Sequence, residues 1–212
     1  RQQRLLAQAA AERPDLRQAL SKGQQALAQA RQRTAEPQPR SLGTLRGIEG
    51  AAAMGYFRAY ATLFAPELDF TGRNRRPPRD PVNVALSLGY TLLHYEAVRA
   101  CYGAGLDPIV GYYHQLDFGR ESLASDLIEP LRPLVDHWVW TLFRTRRLRP
   151  DHFAGDDDAC RLGKAGRQVF YAGWEGFIRP HRRLLRRVAR KLAVGLAEIA
   201  AAAAPAQEDC RQ

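Results

Sequence analysis

Apolar positions along the chain recur mostly at steps of three and four, the spacing that lines one face of an α-helix. Between Leu42 and Phe64, the series Ile48, Ala52, Tyr56, Ala59 and Leu63 keeps that rhythm and predicts a helix. Residues 82–102 are apolar on most sides, with Val84, Leu86, Leu88, Tyr90, Leu92 and Leu93, which predicts a central core helix. Residues 1–33, rich in Ala, Gln, Leu and Arg, read as a helix or helical hairpin punctuated by Pro14 and Gly23. Further on, Ser122 is a candidate N-cap for a helix reaching about Arg132 through Leu123, Leu127 and Ile128. Pro130 and Pro133 break or kink it before a helix over 134–147 striped by Val135, Trp138, Val139, Leu142 and Phe143. Two more helices, over 168–178 and 184–203, close the chain. Alternation of strand length is absent, and so is any internal repeat. The expected fold is all-α.

Proline and glycine mark the connections. TAEPQPRS (34–41), a four-proline stretch over 65–81, GAGLDPIVGYYHQ (103–115) and HFAGDDDACRLGKAG (152–166) all read as loops. The organisation expected is an N-terminal helical segment with a Pro-rich linker over 1–41, a helical body over 42–204 and a frayed tail over 205–212.

At 212 residues, 45% hydrophobic and 25% charged, the chain is long enough for one domain, or a domain with an appendage. It lacks the roughly 20 uninterrupted apolar residues of a membrane span, and no secretory pattern opens it. With no initiating Met, it is expected to have been cut from something longer. Three scattered cysteines, Cys101, Cys160 and Cys210, fit neither a disulfide framework nor a zinc site, so a reduced cytoplasm is expected. Charge changes the picture more. Lys and Arg number 32 against 22 acids, a net +10, and 29 of the 32 are Arg. Residues 131–191 alone hold 15 basic against 6 acidic side chains. The planar guanidinium meets phosphate oxygens two at a time, which points to a nucleic-acid partner.

Work on phosphates calls for carboxylates that recruit a hard cation. Glu49, in LRGIEGAAAMGYF, sits near a helix start among small residues. It is either a dipole complement in the first turn or a ligand with room beside it. Asp126 and Glu129, in SLASDLIEPLRP, fall on one helix face a turn apart, either to share a cation or let one carboxylate orient the other's partner, or as a surface acidic patch or a salt bridge to Arg132. His114, in GLDPIVGYYHQ, is either structural or a ligand; His94, His137, His152 and His181 are open to the same two readings, although His181 sits among arginines, a poor place for a cation. Ser-His-Asp arrangements, Walker A loops and HExxH are missing, as is the ExxH pair of di-iron bundles.

Three strings, LRGIEGAAAMGYF (45–57), RRPPRDPVNVALSLGYTLL (75–93) and GLDPIVGYYHQLDFGRESLASDLIEPLRPLVD (105–136), together resemble the CRISPR-associated Cas-one family. A fourth, RLGKAGRQVFYAGWEGF (161–177), is similar to that family's late helix, and the resemblance runs from RQQRLL to about Ala193. It implies a mostly helical catalytic domain of the endonuclease and integrase subunit of spacer acquisition. A single Mg2+ or Mn2+ is implied between Glu49, His114 and Glu129, with Asp126 auxiliary and Asn83 and Ser87 supporting ligands or DNA. The implied reaction is attack of a 3′-hydroxyl, or of water, on a phosphodiester. Double-stranded and branched DNA are the implied substrates, touched by Arg73, Arg75, Arg76, Arg79, Arg146 and Arg147 and by the arginines over 182–190. The Cas-two subunit and a second copy are the implied partners, in a prokaryotic cytoplasm with no membrane. The family's N-terminal β-rich domain has no counterpart in this sequence. Two other readings stand beside it: a non-catalytic basic helical DNA-binding or scaffold module, and a helical di-metal redox protein.

Overall fold

The computed structural model describes residues 1–74, 77–115, 117–155 and 159–203. The helices in chain order are α1 (Gln2–Glu12), α2 (Arg17–Ala35), α3 (Leu42–Ala61), α4 (Pro81–Tyr102), α5 (Ser122–Ile128), α6 (Arg132–Arg144) and α7 (Lys164–Ala203). Before α7, two short strands, β1 (Phe153–Gly155) and β2 (Cys160–Leu162), pair antiparallel with Phe153 opposite Leu162. The all-α expectation holds, with this one hairpin added. Three residues per strand are too few for alternation to show, so the stretch reads as a loop in sequence.

Two compact units divide the chain: Arg1–Leu92 with Pro130–Phe177, and Leu93–Glu129 with Ile178–Gln212. In the first, Ser41 caps α3 by accepting the Thr44 amide at 3.2 Å. Gly23, expected as punctuation, lies buried inside α2. A Cβ there would come within 2.5 Å of Ala59 Cβ and 2.9 Å of Leu6 Cδ1, and one at Gly55 within 2.7 Å of Ala26 Cβ. Helices α2 and α3 thus meet through small residues, and contact at that separation needs glycine.

The centre of this unit is Asp136 of α6, 1% exposed. Tyr56 donates its hydroxyl to Asp136 Oδ2 at 2.8 Å, Tyr90 donates to Oδ1, and Tyr60 donates to the Asp136 carbonyl at 2.7 Å. One carboxylate therefore ties α3, α4 and α6 together. Arg132 stacks over the Tyr90 ring at 4.3 Å. Trp138 continues the core toward α7, with ring centroids 4.8 Å from Phe170 and 5.0 Å from Phe177.

In the second unit, Arg182 of α7 grips Glu96 of α4 with two bonds, at 2.8 and 2.6 Å. The two helices predicted over 168–178 and 184–203 are one 40-residue helix running through Pro180. Proline forfeits one backbone bond; Ile178 and Leu185, both fully buried, hold the helix on either side of it. Ser122 is not the N-cap of α5. Glu121 occupies that position, and Ser122, buried, donates its hydroxyl to the Gln115 carbonyl at 2.8 Å. Pro130 does end α5, but α6 begins at Arg132, so Pro133 falls in its first turn, where its missing N–H costs nothing.

Burial pushes Asp136 up to about 6, against the pull of the Tyr90 and Tyr56 hydroxyls and of Arg132 and Arg73. An unfolded aspartate titrates at about 3.9. The folded state therefore binds the extra proton between those values, and this group favours folding increasingly as pH falls through that window. Chemical denaturation of wild type and Asp136→Asn across pH 4–8 should show wild type losing ground to the variant up to about pH 6, then running parallel. Tyr90→Phe, which removes a donor from a buried carboxylate, should cost about 1–3 kcal/mol by the same measurement.

Candidate metal and nucleic-acid site

Asp126 organises the second unit's polar centre. It lies on α5, 3% exposed. Its Oδ2 accepts the amides of Tyr112 (2.7 Å) and Tyr113 (3.0 Å), and its Oδ1 accepts the His114 amide (3.0 Å) and meets His114 Nδ1 at 2.5 Å. The loop lies this close because residue 111 is glycine. A Cβ there would fall 2.7 Å from Ser122 Cβ and 2.9 Å from both Asp126 Oδ2 and the His114 carbonyl. The Leu123 amide, reaching the Pro108 carbonyl at 2.8 Å, fastens the other end of the loop.

Burial opposes ionisation of Asp126, but the amides of Tyr113, Tyr112 and His114, with the His114 ring, outweigh it and hold the carboxyl below its ordinary range. An ionised carboxylate accepts only, so His114 Nδ1 carries the hydrogen, and in the neutral ring Nε2 keeps its lone pair. That is the orientation a histidine ligand takes when a carboxylate fixes it from behind.

Glu129 follows one turn later as the C-cap of α5, half-buried, its amide on the Ser125 carbonyl at 3.3 Å. The two carboxylates of this pair are therefore not equivalent. The oxygens of Asp126 are taken up by four donors, which fits it to position the histidine rather than to share a cation.

Glu49 belongs to the first unit. It is the eighth residue of α3, exposed, two turns beyond the first-turn position at which it would complement the helix dipole. At the flanking Gly47 and Gly50, a Cβ would meet nothing within 4 Å, so the backbone beside Glu49 faces open space. Among the described residues, no group of three or more His, Cys, Asp and Glu side chains forms a metal cluster. His114 and Asp126 are brought together; Glu49 stands in the other unit from His114 and Glu129.

Asn83 and Ser87 turn out to hold the basic loop. Asn83, fully buried, donates to the Gly72 carbonyl at 2.8 Å and accepts the Asn74 amide at 3.1 Å. Arg73, expected on DNA, faces the protein: its guanidinium meets Asn83 Oδ1, lies 3.4 Å from the Ser87 hydroxyl and sits 5.4 Å from the Tyr90 ring centroid. Arg75 and Arg76 lie outside the described residues. Arg79, Arg146 and Arg147 are exposed. Arg182, expected on DNA, is committed to Glu96. Sequence reasoning missed Asp136 and its three tyrosines. A lone acid in the apolar run LVDHWVW, with tyrosines elsewhere at helical core positions, was the available signal.

The family model described as CRISPR associated protein Cas1 matches residues 1–176. The chain belongs to the Cas1 family. It is 47% identical over 153 residues to CRISPR-associated endonuclease Cas1 1 of Thermodesulfovibrio yellowstonii, covering 71% of this chain and 48% of that relative. It is 49% identical over 133 residues to CRISPR-associated endonuclease Cas1 3 of Thermus thermophilus, covering 62% and 40%. The chain thus spans about half the length, or less, of these curated Cas1 relatives. Among solved structures it resembles a chain of "Partial Cas6-RT-Cas1--Cas2 complex", with a TM-score of 0.81 at 27% identity over 93% of this chain and 61% of that one. It also resembles "Casposase bound to integration product", with a TM-score of 0.68 at 26% identity over 81% and 56%. The resemblance of the four sequence blocks to the Cas-one family therefore holds.

Gly111→Ala should push the loop off Asp126 and destabilise the protein by about 1–3 kcal/mol in urea unfolding. The nitrogen-15 spectrum of neutral His114 should show the Nδ1–H tautomer in wild type and lose that preference in Gly111→Ala.

Proposed function

We propose that this Cas1-family chain carries the helical catalytic part of a divalent-metal-dependent DNA endonuclease and integrase, which inserts short foreign DNA into a CRISPR array. The observation that carries the reading is Asp126. Three backbone amides hold it ionised and buried against His114 Nδ1, leaving Nε2 available as a ligand nitrogen in a family of endonucleases.

Glu49, His114 and Glu129 are the residues that would hold Mg2+ or Mn2+. Two carboxylates and one imidazole would suit such a cation. When bound, the ion supplies positive charge against the phosphate oxygens as negative charge builds on them. The chain's own part is positional. Asp126 fixes the ring plane and tautomer of His114, and the amides of Tyr112, Tyr113 and His114 lock that loop to α5. Arg79, Arg146 and Arg147 offer guanidinium groups to the DNA backbone, while Arg73, Asn83 and Ser87 brace the loop that carries Arg79.

In the transfer, the attacking 3′-oxygen bonds to phosphorus as the old bond from phosphorus to the leaving oxygen breaks. The attacking hydroxyl loses a proton and the leaving oxygen gains one; in hydrolysis, water replaces the hydroxyl. No side chain of the protein becomes bonded to phosphorus in this scheme. The likeness to a chain of a Cas1--Cas2 complex supports a Cas2 subunit as partner; a second copy of this chain is a further proposed partner.

Cleavage of branched DNA by this chain should require Mn2+ or Mg2+ and be lost in Glu49→Ala, His114→Ala and Glu129→Ala. Asp126→Asn should lower metal affinity or rate by about 10–100-fold, as expected of a residue acting through a ligand. Cleavage persisting in all three alanine variants would leave only a basic DNA-binding module. Charge reversal at Arg79 and Arg147 should weaken DNA binding without sequence preference and flatten its salt dependence.

A further inference from the structure

The loop that carries His114 also carries an unusual surface. Ile109 is 43% exposed, Val110 57% and Tyr112 71%, although polar side chains would be the ordinary residents of such a loop. This is not a loose segment whose apolar groups simply hang in water. The Ile109 amide bonds Asp107 Oδ1 at 2.9 Å, the Pro108 carbonyl takes the Leu123 amide, and the Tyr112 amide reaches Asp126 Oδ2 at 2.7 Å. Tyr112 therefore presents a largely exposed ring from a backbone fixed by the same carboxylate that orients His114, two residues away. Exposing that ring gains the fold nothing; its rigid placement is what a binding platform needs.

Resting on the proposed DNA function, we infer that Tyr112 is a stacking platform for an unpaired nucleobase of the DNA strand processed at His114. A nucleobase is the occupant the surroundings favour. Every base has a π-face that stacks on an aromatic ring regardless of sequence, the chain carries a net charge of +10 that draws a polyanion, and the platform is continuous with the proposed site through Asp126. Tyr112 is a positioning residue here: it holds the base of a nucleotide flanking the reacting phosphate, and the strand's path follows from that grip.

The test uses the 212-residue chain and a forked DNA oligonucleotide with 2-aminopurine placed in turn at each unpaired nucleotide flanking the cleaved bond. Stacking on Tyr112 should change the fluorescence at one of these positions in wild type and in Tyr112→Phe, but not in Tyr112→Leu. Tyr112→Leu should weaken binding of that DNA by about tenfold. An abasic nucleotide at the responding position should erase the difference between wild type and Tyr112→Leu, which a merely structural role for the ring would leave unchanged. Phe118, fully exposed on the same loop but without an amide bond to Asp126, is the control, and Phe118→Leu should leave the signal intact. Metal-dependent cleavage with no 2-aminopurine response, or equal loss in Tyr112→Leu with intact and abasic DNA, overturns the platform and leaves the proposed function standing. Failure of the chain to bind the DNA at all overturns both.

Discussion

Asp126 and Asp136 are almost completely withdrawn from water, and the way each is satisfied sets what its unit can do. Burying a carboxylate is expensive unless its oxygens find donors. Asp126 finds three backbone amides and an imidazole, donors that favour the charge, and it stays ionised. Asp136 finds tyrosine hydroxyls in a deeper setting, where burial prevails and carries it up to about 6. The first therefore turns a flexible stretch of loop into a fixed mount for His114. The second uses the same chemistry purely as a fastener, drawing α3, α4 and α6 onto one point.

The mount depends on a missing side chain. Gly111 lets the backbone lie against α5 at a distance that a Cβ would forbid, and only from there do successive amides point at one carboxylate. Small residues serve the first unit in a similar way, at Gly23 and Gly55, where α2 and α3 close on each other. Around Glu49 the glycines have the opposite consequence: among the described residues, nothing lies within 4 Å of a Cβ at Gly47 or Gly50.

The arginines divide into two groups that their number alone conceals. Arg73, Arg132 and Arg182 are occupied with Asn83, Tyr90 and Glu96, bracing a loop, a ring and a helix pair. Arg79, Arg146 and Arg147 stay exposed, and the proposed attraction for DNA rests on groups of this kind. An arginine that bridges two elements contributes stiffness rather than affinity, so the basic character of a sequence overstates the surface available to DNA.

Helical periodicity made α3, α4 and the α5–α6 break legible from the chain alone, because apolar spacing and proline act locally. The four blocks that carry the Cas1 resemblance likewise singled out Glu49, His114, Asp126 and Glu129. The unity of α7 was not legible, since whether a helix survives Pro180 depends on the packing of Ile178 and Leu185. Nor were the places of Gly23 and Ser122, whose roles come from residues distant in the chain. The sequence by itself determined which residue types and helical faces exist. Only the tertiary structure decided that Asp126 would spend its oxygens on the loop and the histidine, because the donors that satisfy a buried charge are brought to it by folding and are not its neighbours in the chain.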